Sequence, residues 1–415
     1  MSGGPLRAEG PVLAPPSAEA AAFVRAIPAE RRPLALAPSD ARGWFGGAHM
    51  VCWDPAETRG GLSLSVAAGL LEQAMSSPDP LLAAAVLPYD GLAEVRTYTG
   101  GLVRTAEGWR AWGSTVTALP AALDIDLAPR VAGPLILDPT ADLDEAGYRA
   151  RVERVRERIA AGDVYVLNLT YRIAGQPALV AADAFGVLVE RAAGPMSAWW
   201  GEASGGSLAS VSPERFCAIE TDAHGHRHVW IEPIKGTRPR GADVVTDAAA
   251  ARELAGDAKE RAEHVMIVDL ERNDLGRVAV PGSVHVDPML EVFATPYCHQ
   301  LVSRVRALMR ADATLGDLVE ATFPCGSVTG APKRAAMRII GELERSPRGA
   351  YTGALAVALP GRFDSSVLIR TLEYGPDAVR WGTGGGVTID SDPGAEWRES
   401  RLKAVPVLGA AAGDV

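Results

Sequence analysis

Two pairs of glutamates stand at three-residue spacing in segments whose patterns predict helices. Glu260 and Glu263 lie in "AKERAEHVMIVDL", and Glu396 and Glu399 lie in "AEWRESRLKA". Residues three apart on a helix differ by about 60° around its axis, so each pair faces one way. Lys403, seven residues after Glu396, falls within the same arc. Two such helices can therefore aim four carboxylates at one point.

An oxygen-rich cluster of this kind suits Mg²⁺, which binds a few carboxylates together with waters and the anionic groups of a substrate. Glutamates at this spacing are also common on exposed helices, where they are simply solvated. The two pairs by themselves do not decide between a metal site and a charged surface.

Lys235 is a candidate nucleophile. It lies between Ile234 and Gly236 in "HVWIEPIKGT", an apolar run that predicts a strand. A lysine partly removed from water becomes neutral more readily, and a neutral amine is a competent nucleophile. The alternative is a strand-end lysine whose long stem carries its charge into solvent.

A glycine cluster occurs in "WGTGGGVTIDSDP", where Gly382, Gly384, Gly385 and Gly386 leave backbone N–H groups free to face an anion. The cluster lacks the spacing of a dinucleotide-binding motif, and a tight turn is the alternative. Arg370, in "LIRTLEYG", is a candidate partner for a carboxylate, which its planar side chain can hold through two hydrogen bonds.

The elements that must position these residues can be predicted along the chain. From about Glu30 to Pro139 short apolar stretches broken by Gly and Pro predict strands, turns and a few short helices. Asp142–Ala161 predicts an amphipathic helix leading into the strand "VYVLNLTYRI". Further helices are predicted at about Val244–Asp269 and Leu315–Thr322, and a long one after "GSVTGAPK".

The segments "SLASVSPERFCAIE" and "HVWIEPIKGT" predict paired strands separated by the polar turn "TDAHGHRH". Its three histidines, His224, His226 and His228, could suggest a metal site, but a solvated hairpin turn is the interpretation we adopt.

Bulk composition excludes several classes of protein. The chain has 415 residues with 47% hydrophobic and 22% charged residues, which is typical of a globular protein. Its net charge of −10 argues against a general nucleic-acid binder. No apolar run approaches the length of a membrane span, and the first residues do not resemble a secretion signal, so a cytoplasmic protein is expected. The widely separated Cys52, Cys217, Cys298 and Cys325 are expected to be buried, reduced thiols.

Taken together, these segments resemble the chorismate-binding enzyme family, from about Tyr148 to Val407. The resemblance is carried in order by "SPERF", "PIKGTRPRG", "AEHVMIVDLERNDLGRV", "HQLVSRV", "GSVTGAPK", "RGAYTG", "IRT", "GTGGGV", "DSDP" and "EWRESRLKA". It implies an α+β fold in which two antiparallel sheets face each other with helices outside. It further implies an N-terminal part of the sandwich with weak family likeness over 26–140 and a catalytic region over 141–415. Residues 1–25 are expected to form a loose tail, because the first twenty are rich in Pro, Gly, Ala and Glu.

The same resemblance implies roles for site residues. Glu263 and Glu399 become direct ligands of Mg²⁺, with Glu260 and Glu396 supporting through water, and the metal would hold the ring carboxylate of chorismate. The implied substrate-binding residues are Thr237, His299, Tyr351, Arg370, Gly384, Gly385, Gly386 and Lys403.

Within the family, Lys235 in "PIKGT" is similar to the lysine of members that aminate chorismate at C4. The implied mechanism is addition of Lys235 at C2 with loss of the C4 hydroxyl, followed by entry of ammonia at C4 and release of the lysine. Glu214, in "SPERF", resembles the residue that assists proton transfer at the C4 substituent. A separate glutaminase subunit is implied as the source of ammonia.

Two departures from the family pattern stand out. Val166 occupies a position where amino-transferring members usually have glutamine, and where isochorismate-forming members have a lysine that activates water. Cys325, in "PCGS", replaces the more usual glycine.

The alternatives that stay open are an anthranilate synthase large subunit, an isochorismate or salicylate synthase, and a catalytically silent binding relative. Whether the product would enter folate synthesis through 4-aminobenzoate or a specialised aromatic metabolite is also open.

Overall fold

The computed structural model describes residues 12–14, 20–79, 81–113, 133–202, 206–295 and 298–409. All strand pairings found among these residues are antiparallel. In the N-terminal stretch where a loose tail was predicted, the described residues form a short strand and the start of a helix.

The strands of the first half are β1 (Val12–Ala14), β2 (Leu34–Leu36), β3 (Met50–Cys52), β4 (Glu57–Leu62), β5 (Leu82–Leu87), β6 (Ala93–Tyr98), β7 (Gly100–Thr105), β8 (Gly108–Gly113), β9 (Ile136–Ala141), β10 (Val166–Pro177), β11 (Met196–Trp200) and β12 (Leu208–Ser212). Those of the second half are β13 (Arg215–Thr221), β14 (Arg227–Ile231), β15 (Ile234–Pro239), β16 (His285–Val286), β17 (Glu291–Ala294), β18 (Cys298–Val302), β19 (Val305–Leu308), β20 (Gly330–Ala331), β21 (Ala354–Leu359), β22 (Arg362–Val367), β23 (Thr371–Tyr374) and β24 (Val379–Val387).

The helices are α1 (Ala20–Ala26), α2 (Trp44–Gly47), α3 (Leu64–Met75), α4 (Glu145–Ala160), α5 (Ala181–Ala192), α6 (Val244–Gly256), α7 (Ala258–Gly276), α8 (Leu315–Thr322), α9 (Lys333–Leu343), α10 (Pro393–Leu402) and α11 (Val405–Leu408). Short 3₁₀ turns occur at Ala29–Arg31 and Gly326–Val328.

The strands form two large sheets and one small one. The first has the order β1-β8-β7-β3-β2-β11-β12-β23-β24-β10-β20, with β9 also paired to β10, and the second has the order β16-β19-β14-β13-β22-β21-β5-β6-β4. The small sheet is β15-β18-β17. The first third of the chain supplies strands to both large sheets.

Apolar side chains between the two large sheets show that the sheets face each other. Leu36 and Trp200 of the first sheet pack in one buried cluster with Leu82 and Leu355 of the second. The outer face of the first sheet is covered by α1, α4, α5, α9, α10 and α11, and that of the second by α3, α7 and α8. The predicted α+β fold, with facing antiparallel sheets and helices outside, is confirmed.

One predicted helix proved to be two. The segment predicted as a single helix over about Val244–Asp269 divides at Asp257, which has extended backbone angles. The Asp257 side chain accepts a hydrogen bond from the backbone N–H of Glu260 and is the N-cap of a new helix, α7. Because α7 starts here, Glu260 lies in its first turn.

Each of the two segments predicted as paired strands forms two strands that belong to different sheets: "SLASVSPERFCAIE" forms β12 and β13, and "HVWIEPIKGT" forms β14 and β15. Other local predictions agree with the structure. The amphipathic helix is α4, with Tyr148, Val152 and Val155 buried, and β13 pairs with β14 across the exposed turn that carries the histidines. All four cysteines are buried and free. Among the helices of the described residues, none is long and apolar enough to cross a membrane.

Candidate active site

The glycines of β24 form one wall of the candidate site. In the first sheet Gly384 pairs with Thr170, Gly385 with Leu169 and Gly386 with Asn168 of β10. Gly384 has a φ of +157°, and a side-chain carbon there would lie 2.1 Å from the Leu169 carbonyl oxygen. The short spacing to β10 therefore requires glycine, because any side chain would strike the paired strand.

Two acids from α10 lie directly above this wall. A side-chain carbon at Gly385 would lie 3.1 Å from Glu396 Oε2 and 4.0 Å from Glu399 Oε1. Glu396 is buried and accepts a 2.7 Å hydrogen bond from the Ser391 hydroxyl. The predicted spacing of three residues therefore does place both carboxylates on one side of α10.

Lys403 fixes the second of these acids. Its Nζ lies 2.8 Å from Glu399 Oε1 and donates to the Gly384 carbonyl oxygen at 2.8 Å. The ammonium group lowers the pKa of Glu399, whose side chain is about half exposed. Glu399 is therefore held as a carboxylate beside the glycine wall.

The other two acids come from the start of α7. Glu263 is buried and accepts a 3.3 Å hydrogen bond from the Thr388 hydroxyl, which follows β24. Burial raises the pKa of Glu263, and Lys235 and Lys259 oppose that shift. Burial and then the charge of Glu399 raise the pKa of Glu260. The acids of α7 and α10 thus lie within electrostatic reach of one another.

Lys259 is a member of the site that the sequence analysis missed. Its Nζ lies 3.7 Å from Glu263 Oε1 and 3.6 Å from Glu396 Oε1, so the ammonium group bridges α7 and α10. The charges of all four glutamates raise its pKa against the opposing effect of burial. The available signal was its position four residues before Glu263, the spacing at which side chains meet on a helix.

The four carboxylates fit Mg²⁺ in the kind of donor that they offer and in the point toward which the two helices aim them. As they are placed, no three His, Cys, Asp or Glu side chains of the described residues are grouped closely enough to hold a metal ion. The positive charge between Glu263 and Glu396 is instead that of Lys259. A metal ion bound here would therefore require this lysine to move.

Lys235 lies at the far end of the glycine wall. A side-chain carbon at Gly386 would lie only 2.8 Å from Lys235 Nζ and 3.8 Å from Val166 Cγ2. Lys235 itself is half-buried. The amine therefore lies against the backbone of Gly386, next to the apolar side chain of Val166.

A bulge in the small sheet brings Lys235 to this place. Lys235 pairs with Leu301 of β18, and the register shifts before Thr237 because Gly236 is an extra residue. Gly236 has a φ of +69°, and a side-chain carbon there would lie 3.1 Å from Glu260 Oε2. Glycine at this position therefore lets the strand that carries Lys235 approach the acids of α7.

Glu214 lies in the same region, between β12 and β13. It is buried, and its Oε1 has no hydrogen-bond partner among the described residues. Burial raises the pKa of Glu214 to about 7, although the Ser327 hydroxyl, the charge of Lys235 and the Ile234 N–H act in the opposite direction. Such a carboxyl can hold or release a proton near neutral pH.

Arg370 offers a free guanidinium group. It follows β22 with a φ of +49°, an uncommon conformation for a residue with a side chain. No hydrogen bond or ion pair to its guanidinium is found within the described part of the chain, and burial lowers its pKa. A partly buried cation without an acidic partner is suited to receive an anion such as a carboxylate.

Tyr351 covers another glycine of β24. A side-chain carbon at Gly382 would lie 2.3 Å from the Tyr351 ring, so the ring rests directly on this backbone. The Arg172 guanidinium carbon lies 5.5 Å from the ring centroid, and burial raises the pKa of the Tyr351 hydroxyl. The phenol is therefore a neutral hydrogen-bond donor beside the strand that carries the other glycines.

His299 and Thr237 have contacts of a different kind. His299 is buried on β18, where its Nε2 lies 2.9 Å from Asp247 Oδ1 of α6, and its Nδ1 has no hydrogen-bond partner among the described residues. Thr237 is exposed and pairs with Gln300. The contacts found for these two residues do not link them to the four glutamates.

A second buried carboxyl near the site was also missed. Glu271 of α7 is fully buried and accepts a 3.0 Å hydrogen bond from the Gly326 N–H, while Cys325 Sγ lies 3.5 Å from the same oxygen. Burial raises the pKa of Glu271 to about 7. Glu271 therefore holds the turn that presents Ser327 toward Glu214. Its spacing of four from Ile267 could have predicted that it faces inward.

Comparison with known proteins places this site in context. The family model described as "chorismate binding enzyme" matches residues 78–409. An aminodeoxychorismate synthase of Streptomyces griseus is 40% identical over 349 residues, which cover 81% of this chain and 47% of that protein. Anthranilate synthase component 1 of Streptomyces coelicolor is also 40% identical, over 274 residues covering 65% of this chain and 52% of that protein. The chain thus spans about half the length of these relatives.

Among solved structures, the menaquinone-specific isochorismate synthase of Escherichia coli superposes with a TM-score of 0.75 over 96% of both chains, at 16% sequence identity. At this identity the agreement concerns the fold alone, and the sandwich of two sheets is common to both proteins. Differences between members of such a fold must therefore be sought in the residues of the site.

Proposed function

This chain belongs to the family of chorismate binding enzymes, and from that premise we propose that it aminates chorismate at C4 to give 4-amino-4-deoxychorismate. The observation that carries the proposal is the position of Lys235. Its amine lies against Gly386, within the electrostatic reach of Glu214 on one side and of Glu263 and Glu399 on the other. A nucleophile, a proton-carrying acid and a set of carboxylates are thereby brought to one strand end.

In the proposed reaction, Lys235 reacts as its neutral amine and forms a bond to C2 of chorismate while the C4 hydroxyl departs as water. Glu214 supplies the proton that this hydroxyl needs, because a buried carboxyl with a pKa of about 7 is partly protonated at neutral pH. Ammonia then bonds to C4, the bond between Lys235 and C2 breaks, and Glu214 accepts the surplus proton from the new amine. Overall, chorismate and ammonia give the aminated product and water.

The remaining residues would bind the substrate. Arg370 and the Tyr351 hydroxyl would hold the enolpyruvyl carboxylate, together with the backbone N–H groups of Gly384 and Gly386. Lys403 would lie near the ring carboxylate, since it is fixed between Glu399 and the Gly384 carbonyl. These positions would place the ring beside the Lys235 amine, which lies against Gly386.

The four glutamates would hold Mg²⁺, with Glu263 and Glu399 as direct ligands and Glu260 and Glu396 acting through water. When bound, Mg²⁺ supplies a positive charge that stabilises the negative charge developing on the ring carboxylate. The carboxylates support this proposal because they include two buried side chains that come from separate helices. Solvated surface glutamates would not be buried in this way.

A glutaminase partner is proposed as the source of ammonia. The support is the likeness to aminodeoxychorismate synthases, such as that of Streptomyces griseus, whose length is about twice the part that this chain matches. The proposal implies that the chain alone uses ammonium salts but not glutamine.

Anthranilate synthesis is the second candidate, since a relative of that name is equally similar in sequence. The two reactions differ in their products. Purified protein should be incubated with chorismate, Mg²⁺ and an ammonium salt, and the product identified by mass spectrometry. A product that keeps the enolpyruvyl group is expected, and Lys235→Ala should lose most of the activity. Fluorescent anthranilate with released pyruvate would refute C4 amination.

A further inference from the structure

Lys259 occupies an unusual place for a surface lysine. It is the second residue of α7, and its side chain is about half exposed. Its Nζ nevertheless lies between Oε1 of Glu263 on its own helix and Oε1 of Glu396 on α10, at 3.7 and 3.6 Å. It therefore joins one proposed direct ligand of the metal to one proposed supporting acid.

The two oxygens that contact Lys259 are otherwise held by neutral donors. Glu263 Oε1 accepts from the Thr388 hydroxyl and Glu396 Oε1 from the Ser391 hydroxyl. These hydroxyls orient the carboxylates but do not neutralise them. Without a cation between them, two buried negative charges from different helices would repel each other.

We propose that Lys259 is an internal cation that neutralises Glu263 and Glu396 in the metal-free protein and is displaced when Mg²⁺ binds. This inference rests on the metal site of the proposed function. The Lys259 ammonium group and Mg²⁺ would compete for the same carboxylate oxygen of Glu263. Two cations in contact with one oxygen would also repel each other. Binding of the metal therefore includes the cost of moving Lys259.

The other lysine of the cluster is built differently. Lys403 donates to the Gly384 carbonyl as well as pairing with Glu399, so both the backbone and an acid hold it. The contacts found for Lys259 are charge contacts longer than a normal hydrogen bond, and its stem reaches solvent. Lys259 can therefore swing away while Lys403 stays.

The competition can be measured by titrating Mg²⁺ alone, without chorismate, into the full chain and its Lys259→Gln variant by isothermal calorimetry. Because the variant lacks the competing charge, it should bind Mg²⁺ about threefold to tenfold more tightly than the natural protein. Lys259→Arg keeps the charge and should bind Mg²⁺ no more tightly than the natural protein.

Thermal unfolding in EDTA gives an independent readout. Lys259→Gln should unfold at a lower temperature than the natural protein, because Glu263 and Glu396 are no longer neutralised. Added Mg²⁺ should raise the unfolding temperature of the variant by more than it raises that of the natural protein. Arg272→Gln is the matched control, since it removes an exposed positive charge from the same helix at a distance from the cluster. It should change neither quantity.

The outcomes separate this inference from the proposed metal site. Unchanged or weaker Mg²⁺ binding by Lys259→Gln, in a protein whose natural form binds Mg²⁺ and whose Glu263→Gln variant does not, would overturn the inference alone. Failure of both the natural protein and Lys259→Gln to bind Mg²⁺ would overturn the metal site as well. Tighter binding by Lys259→Gln, with Lys259→Arg like the natural protein, would support both.

Discussion

The amine of Lys235 lies 2.8 Å from the point at which a side chain would begin at Gly386. The two residues are far apart in the sequence and belong to different sheets, β15 and β24. Gly386 is therefore needed for its missing side chain and not only for the conformations that glycine allows. It provides the space in which the proposed nucleophile stands.

Gly386→Ala should therefore displace Lys235 without unfolding the protein. Gly386 has no positive φ in the left-handed region, so the backbone accepts alanine, and the obstructing atom is the end of a flexible side chain. We expect at least a tenfold loss of C4 amination, measured as product formed from chorismate and ammonium, with an unchanged circular dichroism spectrum.

Gly341→Ala is the control for this substitution. Gly341 lies in α9 with open space around its missing side chain, and alanine is favoured in a helix. Its activity should match that of the natural protein. Full activity of Gly386→Ala would show that the position of Lys235 against this glycine is not needed.

Glu214 should set a limb of the pH–rate profile. Its pKa is raised to about 7 by burial, so the protonated form that can protonate the C4 hydroxyl is lost as pH rises through that value. The rate, normalised to free ammonia, should fall above about pH 7 in the natural protein. Glu214→Gln should lose on the order of a hundredfold in kcat and lack this limb.

Glu220→Gln is the matched control for Glu214, because Glu220 is an exposed acid on the adjoining strand β13. It should keep the profile of the natural protein. An unaltered limb in Glu214→Gln would assign the ionisation to another group.

Glu271 should make the protein less stable as pH rises. Its folded-state pKa of about 7 lies above that of an unfolded glutamate, so the folded chain binds the extra proton between about pH 4.5 and 7. The stability associated with that proton is present at low pH and is lost as pH rises through 7. The difference in unfolding free energy between Glu271→Gln and the natural protein should therefore change with pH. From pH 5 to pH 8 it should shift in favour of the variant by on the order of 2 kcal/mol.

This difference can be followed by urea unfolding of both proteins at several pH values in EDTA. Glu214 titrates in both chains and so cancels in the comparison. Parallel curves of unfolding free energy against pH would show that Glu271 keeps an ordinary pKa in the folded state.

Arg370→Lys should weaken chorismate binding. Lysine keeps the positive charge but cannot form two parallel hydrogen bonds with a carboxylate. We expect KM for chorismate to rise about tenfold or more with a smaller change in kcat, measured by steady-state kinetics. Arg338→Lys, at an exposed pair with Glu342, should leave KM unchanged. An unchanged KM in Arg370→Lys would remove Arg370 from the substrate site.

Most of the candidate site could be predicted from local patterns, because helix period and strand propensity are properties of neighbouring residues. The spacing within each glutamate pair predicted that its two members share a helix face, and the glycine run predicted an accessible backbone. The order of the motifs identified the family. The fold class followed from that resemblance and was confirmed by the two sheets.

Local patterns were less informative where the side chain of one polar residue caps a helix or binds a distant segment. Asp257 divides a predicted helix because its side chain caps the next one. Glu271 appears as an ordinary charged residue of α7 in the sequence, but it is buried because Gly326 and Cys325 approach it from another part of the chain. The spacing of four residues from Ile267 indicates that Glu271 faces inward, but it does not show which distant segments bury it.

The sequence by itself determined which side chains could act and which neighbours on one element share a face. Only the tertiary structure decided that Lys259 lies between two helices and that Lys235 rests against Gly386. The physical reason is range. Spacing along one helix or strand is fixed by backbone geometry, whereas a contact between α7 and α10, or between β15 and β24, depends on how the sheets and helices pack around the common core.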